Sequence, residues 1–91
     1  MKDQFIEIKK NYLATFPQKS IDIKSAREIN DGLQLHLLLH KLAGSSGGYG
    51  FDELSHYCQS ALKLMEENKE DGMTYLDELL EQIVSLLEMQ Y

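Results

Sequence analysis

This 91-residue chain predicts an all-α fold, an antiparallel four-helix bundle with an additional N-terminal helix, and three observations carry the expectation. β-branched residues are few and scattered, while the helix formers Leu, Glu, Lys, Gln and Met dominate. Apolar residues recur at steps of three and four, the period of a helix with one buried face. The periodic segments are separated by short breaks rich in Gly, Asn and Asp, which turns consecutive helices back on one another. A hydrophobic fraction of 43% and a single proline fit a folded chain. The length fits one domain spanning residues 1–91.

The first segment, about Asp3 to Phe16, places Phe5, Ile8 or Lys9, Tyr12, Leu13 and Phe16 on an amphipathic stripe. Pro17 interrupts it or opens the next helix, because proline lacks the amide hydrogen and suits a first turn. From Pro17 to Asn30 the apolar residues Ile21, Ile23, Ala26 and Ile29 give a weaker helical pattern. Asn30, Asp31 and Gly32 form a break, with Asn30 or Asp31 as N-cap.

A third helix is expected from about Asp31 to Tyr49, with Gly50 as its breaker. A fourth runs from about Asp52 to Asn68 on a stripe of Leu54, Cys58, Ala61, Leu62 and Met65. Lys69 to Gly72 reads as a polar turn, and Thr74 with Asp77 resembles a capping box for the last helix. That helix runs to about Met89 and turns Leu76, Leu79, Leu80, Ile83 and Leu86 or Leu87 inward.

A formal charge of −6 argues against nucleic acid or an anionic membrane as partner, since either needs a basic patch to displace counterions. Lys9, Lys10, Lys19, Lys24 and Lys41 are scattered. The lone Cys58 has no internal disulfide partner, which fits a reducing compartment. No N-terminal signal pattern and no membrane-length apolar run is visible. A soluble, cytoplasmic domain is the expectation.

The functional candidate is His40, in the run His40-Lys41-Leu42-Ala43-Gly44-Ser45-Ser46-Gly47-Gly48-Tyr49-Gly50-Phe51. At about 100° per residue, Leu35, Leu38, Leu39, Leu42, Ser46 and Tyr49 fall between about 160° and 260° from His40. They form the expected core, with His40 opposite. Leu33, His36, Leu37, Gly44 and Gly47 share the histidine's face, and two leucines there mark a docking patch. Interior glycines cost a helix about 1 kcal/mol each. Gly44, one turn after His40, exposes the imidazole to a close approach; the alternative is a helix ending near Gly47 and a glycine loop.

An exposed imidazole, titrating ordinarily near about 6.5, offers a lone pair as nucleophile, base or metal ligand. Acid–base catalysis lacks an acidic partner nearby in sequence, and Ser45 lies on another side of the helix. His36 and His40 have the i, i+4 spacing of two metal ligands, but no Asp or Glu accompanies them on that face. Attack on a phosphoryl group asks for an in-line nucleophile and nearby positive charge. Lys41 is the nearest cation.

The run resembles the signature of histidine phosphotransfer (HPt) domains of two-component phosphorelays. The match is His40, Lys41, Leu42, a glycine four positions on (Gly44), the small Ser45 and Ser46, a glycine ten on (Gly50) and an apolar residue fourteen on (Leu54). Asp31 and the Phe16-Pro17 step resemble the family's helix junctions, and the likeness covers about residues 10 to 66. It implies that His40 accepts a phosphoryl group from a receiver's aspartyl phosphate and passes it to another receiver. It implies a carrier without kinase activity and without a cofactor, Mg²⁺ belonging to the receiver. The implied partners are response-regulator receiver domains and a hybrid sensor kinase, met by a monomer. Many members carry lysine three residues after the histidine; this chain has Ala43, as a subset of members does, so Lys41 either stabilises the phosphoryl group alone or points elsewhere. The alternatives are an HPt-like interaction module that carries no phosphate and a metal-binding bundle using His36 and His40.

Overall fold

The computed structural model describes residues 2–67 and 72–89. Five helices follow in order: α1 (Lys2–Leu13), α2 (Phe16–Glu28), α3 (Gly32–Gly48), α4 (Asp52–Glu67) and α5 (Gly72–Met89). Helix α2 packs on α3, α3 on α4, α4 on α5, and α5 back on α2, so these four close around a shared core. The molecule is elongated, with extents of 47 × 20 × 20 Å.

Pro17 acts one turn earlier than expected. It has no N–H to offer the Leu13 carbonyl, and the break falls at Ala14 and Thr15. There the Thr15 amide bonds Tyr12 at 3.0 Å, a tightened final turn. Phe16 therefore opens α2 instead of closing α1, and it is fully buried. It meets Tyr12 and Phe51 edge-on at 5.3 and 5.4 Å between ring centroids. Tyr12 stacks on Tyr49 at 4.2 Å, and its hydroxyl shares a hydrogen bond with Ser45. This aromatic cluster ties α1 to the end of α3.

Helix α2 is as regular as its neighbours but buries a different stripe from the one expected. Phe16, Ser20, Ile23 and Ala26 face inward, while Ile21 and Ile29 are exposed. The serine at the centre of that stripe hides it in the sequence; Ser20 Oγ donates to Glu88 across the bundle at 3.1 Å. Asn30 ends α2 in the left-handed region, at φ 62°. The Asp31 and Asn30 amides bond back to Ala26 and Arg27, the paired bonds of a Schellman stop.

Asp31 is then the N-cap of α3, accepting from the Gln34 amide at 3.1 Å. Asp31→Ala should lower stability by about 1 kcal/mol, read as a drop in the urea midpoint; an unchanged midpoint would contradict the cap. Helix α3 runs through Gly44 and Gly47 to Gly48, so these glycines are helical and do not form a loop. Gly50, at φ 85°, terminates it, with Phe51 and Gly50 amides bonding back to Ser46 and Gly47.

On α4, Leu54, Ser55, Cys58 and Ala61 are buried, with Leu62 and Met65 packed alongside. Burial pushes the Cys58 thiol up to about 12, which leaves it an inert core side chain at neutral pH. Asn68 and most of the expected turn after it lie outside the described residues. Gly72 already belongs to α5, so Thr74 sits inside the helix and is not its cap. Asp77 instead accepts from Arg27 Nε at 2.6 Å, joining α5 to α2. Leu76, Leu80, Ile83 and Leu87 supply the α5 side of the core.

Candidate functional site

The site is built on α3, whose inner face is set by Leu35, Leu39, Leu42, Ala43 and Ser46. With His40 at zero, these lie at about 200° to 300°, so the buried arc is turned by about 40° from the expected one. Leu38 and Tyr49 are half-buried at its margin, and Ala43 takes the place expected for them. The reason is the fit with α4: the small Ala43 lets Ser55 come close, and Ser55 Oγ donates to the Ala43 carbonyl at 2.8 Å. Gln59 Nε2 in turn donates to Ser55 Oγ at 3.1 Å.

His40 remains exposed, but it lies beside the α3–α4 seam, not at the middle of the free face. His36, His40, Ala43 and Gly47 form one row along that seam by helical spacing. Their α4 counterparts fix the register. Ser55 lies against Ala43 and against Gly47, where a Cβ would come within 3.3 Å of the serine oxygen. At the other end His36 Nε2 stands 3.9 Å from Glu66 Oε1. His40 is between these levels, abreast of residues 59–62.

The predicted face therefore divides. Leu33 and Leu37 are 75% and 45% exposed, and Gly44 has open space where a side chain would be. These three stand free around His40, joined by Lys41, which is exposed on the side away from α4. His36 is half-buried toward Glu66, and the missing side chain of Gly47 serves the approach of α4. Ile29, just before α3, is also exposed, at 71%. Ser55, Gln59 and Glu66 also went unnoticed as neighbours of the histidine row. The signal was present in their spacing of four and seven residues, a polar seam beside the apolar stripe of α4.

Two cations near the aromatic cluster are already engaged. Lys9 lies over Phe51 at 4.9 Å, and Lys19 lies over Tyr12 at 5.2 Å while donating to Thr15 Oγ1; burial lowers the Lys19 pKa. Ser45, bonded to Tyr12, is turned to that cluster and not to His40. Among the described residues, no group of three or more His, Cys, Asp and Glu is placed to hold a metal ion. A groove of about 650 Å³ between α4 and α5, floored by Leu64, Tyr75 and Leu79, contains none of the predicted site residues. Among the described residues, no helix is long and apolar enough to cross a membrane.

No curated protein and no solved structure matches the chain. A family model for the Hpt domain does, over residues 7–89. The match takes in α2 to α5 whole and the second half of α1, with His40 near its middle. Hpt domains are phosphotransfer carriers, not enzymes, and act with receiver domains in phosphorelays. On this match and the all-helical fold that accompanies it, the chain belongs to the Hpt domain family.

Proposed function

We propose that this protein is a cytoplasmic, monomeric phosphorelay carrier in which α2 to α5 run antiparallel, α1 is an addition to them, and His40 is the phosphoacceptor. The observation that carries the proposal is an exposed imidazole on a rigid helix, with open space at Gly44 one turn away. Transfer is in line. The lone pair of one His40 ring nitrogen forms the N–P bond as the P–O bond to a receiver's aspartate breaks. That bond's electron pair leaves with the carboxylate oxygen, and the proton on the other ring nitrogen stays. Passage to a second receiver reverses these events, so no cofactor is needed here and Mg²⁺ belongs to the receiver.

Leu33 and Leu37 supply apolar docking surface, Gly44 admits the partner's backbone, and His36 and Gly47 border the contact on the α4 side. Lys41 contributes a positive charge from the flank. Response-regulator receiver domains, including that of a hybrid sensor kinase, are the partners. Incubation with a phosphorylated receiver should place an acid-labile, base-stable phosphate on the protein. Binding of receivers with no label would leave an interaction module of the same fold and overturn the carrier role.

A further inference from the structure

We infer that His36, which faces Glu66 across the α3–α4 seam, is the cation beside the phosphoryl group of His40; this rests on the carrier reading above. In a helix, residues four apart lie on one face as neighbours, whereas consecutive residues do not face each other. His36 is therefore beside His40, and Lys41 is turned about 100° away from it. Ala43, the other residue on the α4 side of His40, is apolar and buried, and offers no charge.

The ring of His36 is placed for the task. Its Nε2 faces Glu66 Oε1 at 3.9 Å, and the side chains are 39% and 68% exposed. A protonated imidazole carries two N–H donors, one for the carboxylate and one for a phosphoryl oxygen; the neutral ring has only one. The Glu66 carboxylate and a dianionic phosphoryl group on His40 would flank the ring with negative charge on two sides. Among the described residues, most of the other charges on the neighbouring elements are already engaged. On α4, Lys63 and Glu67 line the groove toward α5. On α2, Lys24 pairs with Glu88, Arg27 with Asp77, and Asp22 accepts from Gln18, while Glu28 is exposed beyond them. On α3, the capping Asp31 bonds the Gln34 amide.

Protonation of His36 and phosphorylation of His40 must then favour each other by the same factor. The phosphoform is stabilised while His36 is charged, and the stabilisation is lost as pH rises through its titration. The test is an NMR pH titration of His36 before and after phosphorylation of His40 with phosphoramidate. The midpoint should rise by about half a unit or more, corresponding to about a threefold coupling, and the rise should shrink in Glu66→Gln. An unmoved midpoint, or failure of phosphoramidate to modify His40, overturns the inference. A rise in protein that takes no phosphate from a phosphorylated receiver would uphold the coupling and defeat the carrier reading instead.

Discussion

Gly44→Leu should fold as well as the parent protein and fail in transfer. The glycine lies inside α3, exposed, with nothing within 4 Å of the place a Cβ would occupy. Leucine is the better helix former, so stability should hold or rise by up to about 1 kcal/mol. The same side chain would stand one turn from His40, where a partner's phosphorylated loop must come within bonding distance. Misplacement of reacting groups by 1 Å can cost on the order of 100-fold, and a leucine holds the partner off by more than that. Transfer from a phosphorylated receiver should therefore fall by at least about 100-fold, with an unchanged helical signal by circular dichroism. A normal transfer rate would contradict the role assigned to the open space. Gly47 provides the contrast, because its Cβ would meet Ser55 at 3.3 Å and a leucine there would push α3 from α4.

Phe16→Ala should be the most damaging single change to the fold. The ring is fully buried where α1, α2, α3 and α4 meet, in edge contact with Tyr12 and Phe51. Truncating a buried phenylalanine costs about 3–5 kcal/mol through lost transfer energy and the cavity left behind. Domains are stable by only about 5–15 kcal/mol in all, so about a fifth or more of the margin would go. The urea midpoint should fall accordingly at unchanged slope. A loss below about 1 kcal/mol would mean that Phe16 does not anchor the helix junction.

Much of this architecture is legible in the residues, and the failures have physical causes. The helical segments α1, α3 and α4 follow from period and breakers because Tyr12, the inward leucines of α3, and Leu54, Cys58 and Ala61 of α4 recur at helical steps. Helix α2 is harder to read, since its inner face includes Ser20 and its outer face carries Ile21 and Ile29. Hydrophobicity alone then selects the wrong side. Asp31 and Asn30 are both good cap residues, and only the backbone distinguishes them: Asn30 takes the left-handed turn and Asp31 the cap. Thr74 has the spacing of a capping box, but the helix starts before it, and Asp77 answers to Arg27 on another helix.

The site shows the same division. The direction of His40 away from the core follows from helical geometry, as does its access through Gly44. What a single helix cannot disclose is which edge of its free face meets a neighbour. Ser55 and Glu66 are remote in sequence, yet they decide that Ala43 is buried and that His36 leans on α4. Gly47, grouped with Gly44 by its position on the helical wheel, is separated from it by the packing of α4.

The central claim is that His40 itself carries the phosphoryl group. It is tested most directly by incubating the protein and its His40→Gln variant with the same phosphorylated receiver and comparing the acid-labile phosphate retained by each. His40 is exposed, so the variant should keep its fold. The wild-type protein should take the label and His40→Gln should take none; equal labelling of the two would contradict the assignment.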